Sequence, residues 1–391
     1  MNELTKFGFI KMAFWDLPSS LTDIYFDFSV GLDLVFSSEV EKSYGWMSLI
    51  LNWIPGLVVF FHVISSNRES QSKVKTVIFA LLSLITYPVL LSFSILYALI
   101  NRPKNSRGTE QFKYGLKFVT VLQAISGCFE APLQMTYNLH LILNGILPSS
   151  FGVKCVFFED MNGNQLCVPT SASLSIIFSL LATMMAVFSL NLPQNTQSSN
   201  IPRQLQYGPF LMIATCFKIS SLVVITSITT WSIIPIIALI VANIILHEVL
   251  LSEEHRAPKW ILTTSSLFVP FLPISQNGRK SKMYFALQML LSIFINGITI
   301  LVFYVLVVKS LLKLNGNFIL DDLTFNILVW YTLAMGLVSL VTMIPKFFTC
   351  SLIEKFKLIW SIIWATISMV LLTSFVLLLI LASGNSTKGI T

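Results

Sequence analysis

The stretch DLPSSLTDIYFDFSVGLD, residues 16–33, places four aspartates inside an apolar segment. Asp16, Asp23 and Asp27 follow one another at spacings of seven and four residues. Because a helix turns through about 100° per residue, these spacings predict that the three carboxylates share one helix face. Asp33 comes six residues later and lies off that stripe. A helix from Asp16 to Asp33 would rise about 25 Å, most of the thickness of a bilayer's hydrocarbon core.

Each carboxylate at the centre of a bilayer costs about 2.5–3.5 kcal/mol. A row of them in one helix therefore suggests a polar track through lipid. An alternative interpretation takes Ser20 and Asp23 as a capping box, S-x-x-D. In that interpretation the helix begins near Ser20, and Asp23 is interfacial rather than deep.

The composition is that of a polytopic helical membrane protein. The chain has 391 residues, is 55% hydrophobic and 11% charged, and contains no long polar stretch that would form a soluble domain. Lysines and arginines cluster between apolar segments, as the positive-inside rule predicts, which accounts for the net charge of +7 and disfavours nucleic acid as a partner. Residues 1–11 lack the features of a cleaved signal. We expect a retained, cytoplasmic N-terminus and a plasma-membrane location.

Two of the apolar segments do not look like plain spans. The segment 261–275 is too short to cross a bilayer, and 78–100 has Pro88 in its middle and basic residues on both sides. Both are predicted to be re-entrant, entering the membrane and returning to the cytoplasm. The apolar segments are 12–37, 47–64, 78–100, 115–144, 171–190, 209–228, 233–251, 261–275, 284–309, 323–345 and 358–382.

This pattern predicts an all-α, polytopic transmembrane bundle built from two parallel pseudo-repeats. Each repeat has four spans and one re-entrant segment, and the two occupy residues 1–191 and 192–345. Residues 346–391 form a C-terminal segment with an extra transmembrane helix, 358–382. That helix would carry the sequon at Asn385 outside, as a glycosylation site.

A second polar stripe runs along residues 115–144. Gln123, Glu130, Gln134, Tyr137 and Asn138 fall on one helix face. Pro132 removes a backbone donor and is predicted to kink this helix. Lys218 is the one basic residue well inside a predicted span, and it would be the counter-charge of Glu130 or of an aspartate. The alternative is that these groups only join neighbouring helices by hydrogen bonds.

The cysteines give one further prediction. Cys155 and Cys167 share a polar loop and would form a disulfide if that loop is extracytoplasmic; in a cytosolic loop they would be two reduced thiols. Cys128 and Cys216 lie in apolar segments and are expected to be packing residues. The four histidines form no metal set with the carboxylates, and phosphate-loop and nucleophile-elbow motifs are missing. We therefore expect neither an enzyme nor a metal or other cofactor.

The second polar helix resembles a motif of the XK-related family of membrane proteins, E-x-x-P-Q-L-x-L-Q-L-Y. Glu130 and Gln134 keep the family spacing, and Asn138 falls at the second glutamine. Pro132 comes one residue early, and His140 replaces the tyrosine. The first two helices are also similar to the family, through Asp27, Asp33-Leu34, Tyr44-Gly-Trp46 and Pro55-Gly-Leu-Val-Val, although the two aspartates are six rather than four residues apart.

Several members of that family are phospholipid scramblases, some switched on in apoptosis by caspase cleavage and held by a single-span partner subunit. The resemblance thus implies that this chain moves phospholipids without ATP, with such a subunit or a second copy of itself as partner. Trp46 would be a gate at the outer end of the second span, or an interfacial anchor. The rival hypotheses are a secondary transporter of a small cation or amino acid and a multi-pass ligand receptor. The residues predicted for the lipid path are Asp16, Asp23, Asp27, Asp33, Glu130, Gln134, Asn138 and Lys218.

Overall fold

The computed structural model describes residues 10, 12–36, 39–66, 73–100, 109–143, 155–159, 165–191 and 200–228, with short stretches beyond, of which 329–339 is the longest. The helices are α1 (Leu17–Val35), α2 (Glu39–Leu51), α3 (Ile54–Ser66), α4 (Lys73–Ile85), α5 (Tyr87–Ile100), α6 (Thr109–Ile125), α7 (Ala131–Leu143), α8 (Thr170–Asn191) and α9 (Asn200–Ile228). Five-residue π-helical turns, Met12–Asp16 and Ser126–Glu130, lead directly into α1 and α7.

Helices dominate the described part of the chain, so the predicted helical class is confirmed at that level. An antiparallel hairpin, β1 (Cys155–Glu159) and β2 (Gln165–Pro169), is an addition that the sequence analysis missed. The chain divides into two compact units. The first comprises Met1–Met135, Pro148–Val153 and Thr170–Ala186; the second comprises Thr136–Leu147, Lys154–Pro169 and Val187–Thr391. The transmembrane bundle, its paired repeats and the boundaries at 191 and 345 stay predictions.

Glycines allow α1 and α2 to pack against each other at close range. A Cβ atom at Gly45 would lie 2.5 Å from the backbone nitrogen of Val35 and 2.8 Å from the carbonyl oxygen of Gly31. A Cβ atom at Gly31 would in turn meet the side chain of Leu49 at 2.7 Å. Gly31 and Gly45 therefore allow the backbones of the two helices to approach each other closely.

The segment 78–100 is not one straight helix, as the sequence predicts from Pro88. The helices α4 and α5 meet at Thr86 with a bend of 108°. The indole of Trp53 donates a hydrogen bond of 3.3 Å to the carbonyl oxygen of Ile85, at the end of α4. Gly56 of α3 packs against the bend, where an added Cβ atom would lie 2.9 Å from the Cβ of Tyr87. Such a bend fits a broken span as well as a re-entrant hairpin, so the re-entrant course stays a prediction.

Helix α8 runs antiparallel to α1 and presents a row of hydroxyl groups to it. Ser175, Ser179 and Thr183 recur every four residues and are fully buried. Ser175 contacts Asp27 and Ser179 contacts Asp23, so residue numbers fall along α1 as they rise along α8. The rings of Phe26 and Phe178 stack between these contacts, with centroids 5.5 Å apart and planes at 10°.

Helix α4 buries small and polar side chains and exposes large apolar ones. On α4 the buried positions are Thr76, Ala80 and Ser83, whereas large apolar side chains on the same helix are exposed. Within the described residues, Lys42–Ser65 is long and apolar enough to cross a membrane, and the bent pair α4–α5 adds a second if it is one broken span. The most exposed large hydrophobic side chains include Phe14, Tyr25, Phe61, Val74, Phe93 and Ile100.

We predict that Gly45→Ala destabilises the protein, because its methyl group would contact backbone atoms that cannot move aside independently. Overpacking of this kind costs about 1–3 kcal/mol. Gly115→Ala is the matched control, since α6 leaves open space around a Cβ atom there, and alanine favours a helix over glycine by about 1 kcal/mol. Thermal unfolding of both variants in detergent tests the prediction, and equal midpoints would contradict it.

Candidate functional site

Three carboxyl groups lie in the interior of the first compact unit. Asp23, Asp27 and Glu130, here called the buried acidic cluster, are 5%, 1% and 9% exposed. Asp27 lies within electrostatic range of both Asp23 and Glu130, and Glu130 within range of Asp23. The stripe predicted on α1 therefore meets the stripe predicted on the second polar helix.

Hydroxyl groups from α8, from α5 and from the turn that carries Glu130 itself bond to the buried acidic cluster. Ser175 donates to Asp27 Oδ1 at 2.6 Å, and Ser179 donates to Asp23 Oδ1 at 3.0 Å. Tyr87, at the start of α5, donates its phenolic hydrogen to Glu130 Oε2 at 2.8 Å. Ser126, one turn before Glu130, hydrogen-bonds to the same carboxyl group. Buried carboxylates require such partners, because an unsatisfied charge in the interior is very costly.

The capping-box interpretation of Ser20 and Asp23 is wrong. Helix α1 begins at Leu17, and it follows a π-helical turn rather than a side-chain cap. The hydroxyl group of Ser20 shares a hydrogen bond of 3.0 Å with that of Ser92 on α5. Asp23 is buried six residues after the start of the helix.

Both π-helical turns end in an acidic residue followed, two positions later, by proline. The first is MAFWD before Leu17-Pro18, and the second is SGCFE before Ala131-Pro132. Because proline cannot donate to the carbonyl four residues earlier, the wider turn accommodates the missing bond. The helix break predicted at Pro132 is thus a π-helical turn. It carries Gly127, whose missing side chain admits Ala182 and Ala186 of α8.

The two carboxylates that end these turns differ in their surroundings. Asp16 is half-buried, and its Oδ2 accepts a hydrogen bond of 3.1 Å from the amide of Gln123. Glu130 is bonded within the acidic cluster. Gln123 was predicted to share a helix face with Glu130. It hydrogen-bonds to Asp16, the carboxylate that ends the first π-helical turn.

A neutral polar group lies one turn beyond Glu130. The Gln134 amide donates to Ser48 Oγ at 3.0 Å, and its Oε1 is buried with no hydrogen-bond partner among the described residues. Asn52, one turn after Ser48, is 2% exposed, and neither of its amide atoms has a partner in the described structure. A buried polar atom left unsatisfied costs about 1–3 kcal/mol. Asn52 thus marks a place where the packing leaves hydrogen-bonding capacity unused.

The remaining predicted site residues are more dispersed. Asp33 is half-buried near the end of α1, and Trp46 is 57% exposed on α2, which suits the interfacial-anchor alternative as well as a gate. Asn138 is buried on α7. Lys218 is 1% exposed on α9, in the second compact unit. Its pairing with Glu130 would join the two units and stays a prediction.

The predictions for the cysteines, the N-terminus and the C-terminal regions fall partly outside the described residues. Cys128 and Cys216 are buried free thiols, which confirms their role as packing residues. In the β-hairpin, Cys167 is the register partner of Phe157 and Cys155 that of Pro169, so the two cysteines are diagonal neighbours. Their side chains lie outside the described residues, and the disulfide stays a prediction. Residues 1–9, Asn385 and nearly all of 261–275 also lie outside that part.

Five buried residues of this site were not predicted: Ser48, Asn52, Tyr87, Ser175 and Ser179. The hydroxyl repeat on α8 has the same four-residue spacing as Asp23 and Asp27, which is a signal in the sequence. Within the described residues, no group of three histidine, cysteine or acidic side chains could hold a metal ion. The acidic cluster therefore does not converge on one metal. No family model matches this chain, and no curated protein matches it either.

We predict that Tyr87→Phe destabilises the protein by about 0.5–3 kcal/mol, the range from a neutral hydrogen bond to one with a charged group. The substitution removes only the phenolic oxygen and leaves Glu130 short of one donor. Tyr25→Phe is the matched control, because Tyr25 is exposed on α1. Unfolding midpoints of the two variants check this, and a Tyr87→Phe midpoint equal to that of the control would contradict the bond.

A double-mutant cycle tests the bond between Ser179 and Asp23. We expect Ser179→Ala to cost about 1.5–3 kcal/mol in the wild type, but only about 0.5–1.5 kcal/mol in Asp23→Asn, where the bond is neutral. Ser83→Ala is the control, because Ser83 donates to the backbone of Phe79 and its cost should be the same in both backgrounds. Equal costs of Ser179→Ala in the two backgrounds would argue against a charge-assisted bond.

Proposed function

We propose that this chain is a multi-pass membrane protein that moves phospholipids between the leaflets without ATP. The observation that carries this proposal is the bent pair α4–α5, which lies beside the buried acidic cluster. The two helices have 13 and 14 residues, so each is about 20 Å long, whereas a hydrocarbon core is about 30 Å thick. Neither half crosses such a core alone.

Short apolar helices make the surrounding bilayer thinner. Large hydrophobic side chains on the outer surfaces of α4 and α5 are exposed, and a bilayer adjusts its thickness to cover such surfaces. A thinner hydrocarbon core shortens the distance that a polar head group must cross. The bent pair would therefore lower the barrier for lipid movement in its neighbourhood.

The acidic cluster and its partners lie at this same place. Tyr87 begins α5 and donates to Glu130, and Ser92 on α5 bonds Ser20 on α1. Separation of α5 and α8 from α1 would uncover the row of Asp16, Asp23 and Asp27, because Ser175 and Ser179 of α8 bond the last two. The row spans about 16 Å along the helix. We infer that the described conformation is the closed state and that lipid head groups use this row when it opens.

The location and the partner that the sequence predicts are part of the same proposal. The plasma membrane is the proposed location, and a single-span subunit or a second copy is the proposed partner. The C-terminal region offers no caspase motif, since Glu354 is the only acidic residue after Asp322. A switch by cleavage in that tail is therefore not part of this proposal.

A secondary transporter is the second candidate, and the complete burial of Asp27 favours it. A carboxylate enclosed by helices suits the binding of a coupling ion, whereas a lipid path needs access from the bilayer. The two functions differ in their substrates. A transporter takes up a soluble solute saturably, and a scramblase moves several lipids with little selectivity.

Reconstitution into liposomes tests the proposal. Wild-type protein should let dithionite bleach fluorescent lipids of the inner leaflet, with no ATP present. We expect Asp23→Asn and Asp27→Asn to slow this about tenfold, equivalent to about 1.4 kcal/mol in the barrier. Thr22→Val is the control, because Thr22 lies next to Asp23 but bonds only the backbone of Pro18 at the exposed surface. Protection of the inner leaflet in wild-type vesicles, or an unchanged rate in folded Asp27→Asn, would contradict the proposal.

A further inference from the structure

Asn52 and Gln134 carry three of the buried polar atoms that the described structure leaves unsatisfied. Asn52 Oδ1, Asn52 Nδ2 and Gln134 Oε1 are all buried and have no partner among the described residues. Both side chains are at least nine-tenths buried. Asn52 lies at the junction of α2 and α3, where the carbonyl of Leu49 accepts from its backbone nitrogen at 3.2 Å. Its position is therefore fixed, while its side chain is unsatisfied.

One contact on each side of Asn52 leads to the stretch of helix that carries Glu130 and Gln134. Ser48, one turn before Asn52, accepts from Gln134. Gly56, one turn after it, packs against Tyr87, which donates to Glu130. Asn52 itself lies in the turn between α2 and α3, and it is buried. The chain on both sides of this unsatisfied amide therefore contacts the surroundings of the buried acidic cluster.

The chemistry of this region favours a cation that donates hydrogen bonds. Asn52 Oδ1, Gln134 Oε1 and the Glu130 carboxylate are three acceptors, and a primary ammonium group has three N–H donors. The charges of Asp23 and Glu130 act on each other, so a nearby positive charge would relieve their repulsion. A trimethylammonium group has no donor, and a sodium ion needs more oxygen ligands than these three.

We propose that Asn52, Gln134 and Glu130 bind a primary ammonium group. The Asn52 Nδ2 donor is then available to an anionic oxygen of the same molecule, such as a phosphate or carboxylate. The ammonium group belongs either to an aminophospholipid head group or to a soluble amine. The first source rests on the proposed lipid movement and defines its substrate class; the second does not.

Binding is tested on the full chain in detergent by its unfolding midpoint. Methylammonium chloride should raise the midpoint, whereas tetramethylammonium chloride and sodium chloride at the same ionic strength should not. At ten times its dissociation constant, a ligand favours the folded state by a factor of about 11. A rise of equal size with sodium or tetramethylammonium would overturn the proposal.

Two variants separate binding from folding. Asn52→Leu should lose the rise with methylammonium yet unfold no earlier than wild type in its absence, since no hydrogen bond of the described structure is removed. Thr76→Val is the matched control, because it also removes a buried, unsatisfied oxygen, on α4 about three turns before Tyr87, and it should keep the rise. If Asn52→Leu does not fold, Asn52→Ala takes its place. Retention of the rise in the folded Asn52 variant would refute the site.

Reconstituted vesicles then identify the source of the amine. In phosphatidylcholine vesicles, fluorescent phosphatidylethanolamine should move faster than fluorescent phosphatidylcholine, and Asn52→Leu should make the two rates equal. Equal rates in the wild type, with methylammonium binding intact, would assign the site to a soluble amine. Methylammonium binding without any lipid movement would leave the site standing and contradict the proposed function alone.

Discussion

The need to satisfy buried carboxylates controls the arrangement of the first compact unit. Asp23, Asp27 and Glu130 are removed from water, and each receives a hydroxyl donor from another helix or turn. These bonds have fixed lengths, so they set the distance and the register of α1, α8 and α5 around the cluster. The glycines at 31, 45 and 127 then permit the close approach that the bonds require. Polar bonding and small residues thus add to the buried apolar side chains in determining this packing.

The same constraint explains why helix irregularities occur where they do. A π-helical turn widens the backbone just before Pro132, and it presents Glu130 at the widened position. The bend at Thr86 changes the direction of the chain just before Tyr87, so that this side chain points into the unit while α4 and α5 diverge. In each instance a proline follows within two residues. The two irregularities position Tyr87 and Glu130, which bond to each other. If the helices were regular at both positions, Tyr87 and Glu130 would be separated.

The sequence predicted the buried carboxylates, which accept the hydrogen bonds, better than the hydroxyl groups that donate them. Charged residues in an apolar segment are costly, so Asp23, Asp27 and Glu130 stood out, and proline placed the breaks near residues 88 and 132. Serine and tyrosine are common in apolar segments. Ser175 and Ser179 were therefore marked only by their four-residue spacing, and Tyr87 was not marked at all. The sequence of the loop shows no periodicity that would have predicted the β-hairpin. Tertiary pairing, which decides these features, depends on residues up to 156 positions apart, as in the bond between Asp23 and Ser179.

The choice between a structural and a functional interpretation depends on how completely the polar groups satisfy one another. If interhelical bonding were the whole purpose of the two stripes, the described polar atoms would be paired throughout, as Ser179 and Asp23 are. Asn52 and Thr76 both depart from this, but Asn52 leaves two atoms unsatisfied where an apolar residue would leave none. Its neighbours along the chain, Ser48 and Gly56, contact Gln134 and Tyr87. An amide that is buried with both its polar atoms unsatisfied retains hydrogen-bonding capacity that the described structure does not use. The proposed binding of a primary ammonium group would use that capacity, which helix packing alone leaves unexplained.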